Sequence, residues 1–132
     1  MPTIEMNGKS VNVNYDIAAQ LDIEQMLFTI NNGISKRQFI EVVENIGDTR
    51  ELIALIMHGI NGYNRLENID QRLNYEQVAK MLDEHMKFIG QNAKTVQDVR
   101  EAFEILKVGI KNAAYIGMHL DFLVKNPAVM NP

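Results

Sequence analysis

The stretch "VQDVREAFEILKVGIKNAAYIGMHLDFLV" (96–124) decides how the chain is read. Val96, Val99, Phe103, Leu106, Ile110, Ala113, Gly117, Leu120 and Val124 recur at alternating spacings of three and four, an apolar a/d seam held for about four heptads. Ile105, Ile116 and Leu123 widen the stripe beyond a bare coiled-coil seam. Thr95 can cap its start. At ~1.5 Å per residue such a helix runs roughly 45 Å. A compact domain of this chain's size has a diameter of roughly 36 Å. The spacing therefore predicts one long C-terminal helix over 95–125 that overhangs its own globule. Such a rod either bends near Gly109 or Gly117 or rests its end on another chain. A glycine inside a helix costs roughly 1 kcal/mol relative to alanine, so Gly109 and Gly117 are odd unless something approaches closely there. Val99, Phe103, Leu106, Ile110, Ala113, Gly117, Leu120 and Val124 are the expected partner-binding residues. The competing reading packs the same seam against the protein's own shorter helices.

Upstream, "YEQVAKMLDEHMKFIG" (75–90) places Val78, Met81, Leu82, His85, Met86 and Ile89 at helical spacing. Asn74 with Gln77 reads as its capping box and Gly90 as its end. "NGYNRLENIDQRL" (61–73) is irregular and reads as a loop, with "GING" (59–62) a helix stop and turn. "LIALIMHGI" (52–60) is apolar nearly all round, which predicts the most buried helix, opened by Asp48 with Glu51. Ser35 with Gln38 suggests a further capping box before a helix that buries Phe39, Ile40, Val42, Val43 and Ile46 and stops at Gly47. A first helix over about 16–30, capped by Asn14 or Asp16, carries Ile17, Leu21, Ile23, Met26, Leu27 and Ile30, with Gly33 at C′.

The chain opens on alternating residues around Asn7-Gly8, the favoured pair for a type I′ hairpin turn because both positions need positive φ. Such a turn pairs Met6 with Lys9, Glu5 with Ser10, Ile4 with Val11 and Thr3 with Asn12. Pro2, Ile4, Met6, Val11 and Val13 then share one face. A lone two-stranded ribbon is marginal in water, so that face must cover helices or an edge must pair with another chain. The expected fold is mainly α: a helical bundle of about five helices with an N-terminal β-hairpin and a long C-terminal helix. It is a single domain over 1–132, with hairpin 1–14, helical core 15–90, last helix 95–125 and tail 126–132.

Composition bounds the function. The chain has 132 residues, 46% apolar and 23% charged, ordinary for a globular domain. A net charge of −4 excludes a protein held to nucleic acid by phosphate contacts. With no cysteine there is no disulfide framework and no thiolate zinc site, which suits a reducing cytosol. No stretch reaches the roughly 18 apolar residues of a membrane span, and the polar start does not resemble a signal peptide.

Catalytic patterns are missing. His58, His85 and His119 have Leu55, Leu82 and Ile116 three residues before them, so none forms the Glu-x-x-His pair of a bundle metal site. There is no nucleophile elbow, P-loop or dinucleotide fingerprint. The expectation is a non-enzymatic protein without cofactor or metal. The eight methionines fit binding to an irregular partner, since thioether side chains are unbranched and adaptable. Met26, Met57, Met81, Met86 and Met118 all fall on or near apolar stripes.

The order of elements carries a resemblance. A hairpin with "NGK" in its turn runs into "YDIAAQLDIEQ". Then come an apolar "ELIALIMHGINGYN", an irregular loop, "LNYEQVAKMLDEHMKFIG" and a further helix. This resembles the tail assembly chaperones of long-tailed bacteriophages, over the hairpin with its helix and roughly residues 50–92, about half the chain. "SKRQFIEVVENIGD" and the length of the last helix fall outside it. The resemblance implies work in the cytoplasm of an infected bacterium. It implies binding to the aggregation-prone tape measure protein, and replacement by tail tube protein as the tube grows. It also implies that a longer form can arise by programmed frameshifting. No single functional residue carries over. Two alternatives stand beside it. One is a homo-oligomeric helical adaptor of a phage or other mobile element. The other is a small-ligand-binding helical domain with its site near His58 and residues 59–64.

Overall fold

The computed structural model describes residues 2–125. It is mainly α, with strands β1 (Thr3–Met6) and β2 (Lys9–Asn12) followed by helices α1 (Ile17–Ile30), α2 (Phe39–Glu44), α3 (Thr49–Leu66), α4 (Tyr75–Asn92) and α5 (Val96–Gly117), and a single 3-10 turn at Asp121–Leu123. The tail 126–132 lies outside the described residues.

The hairpin has the register that its turn dictates: Thr3 opposite Asn12, Ile4 opposite Val11, Glu5 opposite Ser10, Met6 opposite Lys9. Asn7 and Gly8 supply the two positive φ angles. Ile4, Met6 and Val13 are buried, and β1 packs on α5 and α4. The ribbon gains its stability by covering the helices.

α3 runs through the middle. Every residue from Glu51 to Gly62 is buried, as an all-round apolar helix requires, and α1, α4 and β2 pack around it. Local caps open three helices: Asp48 with Glu51, Asn74 with Gln77, and Thr95 with Asp98 each form a reciprocal capping box. Asp16, not Asn14, caps α1 through Ala19 N–H. The Ser35–Gln38 signature fails. α2 starts at Phe39 with Gln38 making no side-chain cap, and the Phe39 N–H donates instead to Glu24 Oε2 of α1 at 2.8 Å. A carboxylate from a neighbouring helix has replaced the local cap, and α2 ends at Glu44, short of Gly47.

Helix ends differ from the sequence reading for a common reason. α1, α3 and α5 each close with paired carbonyl bonds, Gly33 N–H to Phe28 and Asn32 to Thr29, Ile69 to Asn64 and Asn68 to Arg65, Leu120 to Tyr115 and His119 to Ile116. This is the Schellman arrangement, and the left-handed C′ residues are Asn32, Asn68 and His119, with φ between 55° and 61°. Gly33, expected at C′, therefore sits one place beyond it, and Asn32 holds that position. α3 continues through "GING" to Leu66, so the first part of the supposed 61–73 loop, residues 61–66, is helix. The rest of that loop is tied back by buried amides. Asn61 brackets the Leu73 backbone, with Nδ2 to the carbonyl at 3.0 Å and Oδ1 from the N–H at 2.8 Å, and Asn64 Nδ2 reaches the Gln71 carbonyl at 3.0 Å. α4 passes Gly90 and ends at Asn92.

The long rod over 96–124 is not formed. α5 stops at Gly117 after 22 residues, roughly 33 Å, which fits within the globule. The chain then turns back, and Asn112 brackets the backbone of Lys125 as Asn61 does that of Leu73. Leu120 and Val124 have left the helix, and Val124 is exposed. Leu106, Ile110 and Ala113 are buried in the protein's own core, with Val99 and Phe103 half-buried. The competing reading of the seam describes this part of the molecule.

The connector behind the hairpin meets α5 at Gly117. A Cβ there would lie 2.4 Å from the Tyr15 carbonyl oxygen. On the other side of the same connector a Cβ at Gly62 would lie 2.3 Å from the Asn14 carbonyl oxygen, and one at Gly59 2.8 Å from the Tyr15 ring. The Asn14 N–H donates to the Gly59 carbonyl at 2.9 Å. Tyr15 is fully buried, its hydroxyl donating to the Leu55 carbonyl at 2.7 Å. Strand and first helix are thus joined by residues 13–16, of which Asn14 and Tyr15 are clamped between glycines of α3 and α5. The close approach expected at Gly117 comes from the same chain. At Gly109 the nearest atom to a Cβ would be Ile4 Cγ2 at 4.0 Å, ordinary contact.

Candidate functional site

Burying the α5 seam leaves a different apolar surface. α1 carries two apolar faces. Ala19 and Ile23 are buried and Met26 and Leu27 pack on the core, whereas Ile17 and Leu21, one turn apart on the other side, are 68% and 55% exposed. The connector beside Gly117 brings the start of α1 against the end of α5. Between them lies an open hollow of about 600 Å³. Pro2, Ile17, Ile116 and Met118 supply its apolar walls, and Asn14, Asp16, Gln20 and His119 its polar rim.

The rim is occupied with structural work. Asp16 Oδ1 accepts from the Ala19 N–H at 2.9 Å and from Arg65 Nη2 at 2.9 Å. Gln20 Nε2 donates to the Tyr15 carbonyl at 3.0 Å, and Asn14 Nδ2 approaches Asp16 Oδ2 at 3.4 Å. These bonds hold the shape of the hollow, and its uncovered chemistry is apolar. Contiguous exposed apolar surface marks an interaction site more often than scattered single residues do.

The histidines lie apart. His58 is buried on α3 with neither ring nitrogen hydrogen-bonded, and Asp22 Oδ2 stands 4.0 Å from its Nδ1. Burial pushes its pKa below the ordinary value, with Asp22 acting the other way and Arg72 and Arg65 reinforcing the drop. His85 accepts the Asn7 N–H at Nδ1, and burial lowers its pKa as well. His119 sits exposed at the α5 terminus. The supposed ligand loop 59–64 beside His58 is helix interior. Among the described residues no group of three or more His, Asp and Glu side chains could hold a metal ion, and no helix is long and apolar enough to cross a membrane.

Sequence reasoning placed the interaction surface along Val99 to Val124. The structure brings only the Gly117 end of that list to the hollow. Ile17, Leu21 and Ile116 were visible as apolar residues, but their exposure was not. The available signal was that the apolar positions of α1 span more than one face. Compared with known proteins, the chain matches no family model, no curated protein and no solved structure.

Proposed function

We propose that this chain is a non-enzymatic assembly chaperone of a long-tailed phage, holding an apolar helical segment of the tape measure protein in the hollow between α1 and α5. The observation that carries the reading is the pair of large aliphatic side chains, Ile17 and Ile116, exposed on one open hollow. The resemblance of the hairpin, the α3 segment and the α4 segment to tail assembly chaperones supports the choice of client. An amphipathic client helix would lay its apolar stripe across Ile17, Leu21 and Ile116, the helix-in-groove mode of recognition. The half-buried Met118 would adapt to an irregular stripe. Tail tube protein would then displace the chaperone in the bacterial cytoplasm as the tube forms.

The test is a pull-down and titration against fragments of a tape measure protein from a long-tailed phage, taken from the same genome as this chain, with Ile17→Asp and Ile116→Asp as variants. Binding to at least one fragment, weakened at least about tenfold by either change while the thermal midpoint holds, supports the reading. No binding to any fragment overturns it. A second copy is the competing occupant: light scattering that gives a dimer broken by Ile17→Asp, with no fragment bound, assigns the hollow to self-association.

A further inference from the structure

A second cavity lies at the opposite end of β1 from the Asn14–Tyr15 clamp. It has a volume of about 260 Å³ and opens between the hairpin turn, the second half of α4 and the first half of α5. Phe88, Ile89, Ala102, Ile105 and Leu106 form its walls, and Glu5 and Gly8 of the hairpin form one side. Two contacts hold the hairpin over it. The Asn7 N–H donates to His85 Nδ1 at 2.9 Å, and Gly8 rests on the Phe88 ring, where an added Cβ would lie 3.3 Å from Cε2. The His85 and Phe88 rings stack at 6.4 Å. Asn7 and Gly8 are the left-handed residues of the turn itself, so the bond fixes the tip of the hairpin, the part furthest from the clamped connector.

We propose that His85 is a proton-controlled latch: its neutral ring holds the hairpin turn across the α4–α5 cavity, and its protonation frees the turn and opens the cavity. The chemistry follows from the ring. To accept at Nδ1, the imidazole must carry its single proton on Nε2. A second proton goes to Nδ1 and removes the lone pair, so Nδ1–H then faces the Asn7 N–H. Two donors cannot bond, and the positive ring is 7% exposed. Among the described residues no carboxylate lies within ion-pair distance of the ring. His85 Nε2 is buried without a partner. Of the charged groups on the surrounding elements, Glu5 on β1 and Asp98 on α5 line the cavity, and Lys9 on β2 and Asp83, Glu84 and Lys87 on α4 lie within two residues of Asn7 or His85 along the chain. Glu5 accepts from Ser10 Oγ at 2.5 Å, Asp98 is held by the Lys94 and Thr95 N–H groups, and Lys87 faces Asp83. The cheapest response to protonation is to let the turn go.

Amide exchange and ring titration by NMR on the whole chain test this directly. The Asn7 amide should lose protection by about tenfold, the equivalent of one hydrogen bond, across the same pH range in which the His85 ring titrates, while Ile56 inside α3 keeps its protection. His85→Gln offers an acceptor that does not titrate and should remove the pH dependence. The cavity has its own reporter, because the chain lacks cysteine. A thiol placed by Ala102→Cys should be labelled faster below the His85 titration than above it, after correction for thiolate, and at one rate throughout once His85→Gln is added. Asn7 protection that persists while His85 protonates overturns the latch, as does an equal loss of protection in His85→Gln.

Discussion

Gly117 and Tyr15 share one space: the Cβ that any other residue would place at 117 falls 2.4 Å from the Tyr15 carbonyl oxygen. This contact joins the last helix to the connector behind the first hairpin, across about a hundred residues of chain, and it lies beside the α1–α5 hollow.

Glycine substitutions should divide by what each Cβ meets. Gly117→Ala and Gly62→Ala press into the Tyr15 and Asn14 carbonyls, backbone that is held on both sides, and should each cost about 2–3 kcal/mol. Gly90→Ala, in the last turn of α4 with nothing within 4 Å, should stabilise by up to about 1 kcal/mol. Urea unfolding of the three variants reads the difference; similar losses in all three would remove the clamp.

Ile110 is fully buried under β1 and α2, while its neighbour Lys111 is only partly covered. Ile110→Asp should therefore cost upwards of about 4 kcal/mol or abolish folding, through a cavity and an unpaired carboxylate. Lys111→Asp should stay within about 1 kcal/mol. Equal shifts in melting would mean that the helix is rotated from its assigned face.

His119 occupies the left-handed C′ position of α5 with φ of 61°. An L-residue with a Cβ is strained there, and glycine is not. His119→Gly should raise stability by roughly 0.5–1 kcal/mol, measured as a higher denaturation midpoint at unchanged slope. A drop in stability would mean that the imidazole itself contributes at that helix end.

His58 and His85 both have pKa values below the ordinary 6.5 because they are buried. The unfolded chain therefore takes up protons first as pH falls, so stability is full above about 6.5 and declines below it until the folded-state values are reached. Urea midpoints at about pH 7.5 and 5.5 should differ in that direction. His58→Gln together with His85→Gln should flatten the dependence, and an unchanged slope in that double variant would assign the acid sensitivity to the carboxylates.

Much of this molecule was legible one segment at a time. The hairpin register followed from Asn7-Gly8, the helix starts from Asp48, Asn74 and Thr95, and the central position of α3 from its lack of a polar face. Each depends on groups within a few residues of one another, whose geometry the backbone already dictates. The seam of α5 was read correctly as apolar and incorrectly as a free rod, because periodicity reports which side chains seek burial and not what buries them. "GING" was read as a stop because glycine ends helices in isolation; in α3 it admits Asn14 and Tyr15.

The amino-acid order alone therefore determined the element types, the strand pairing and the inward face of most helices, through turn preferences and contacts one helical turn apart. Only the tertiary structure decided the length of α5, the capping of α2 by Glu24, the exposure of Ile17 and Leu21, and the hold of His85 on Asn7. Those outcomes depend on groups from 15 to about a hundred positions apart in sequence, whose meeting is set by how the helices pack and by no local pattern.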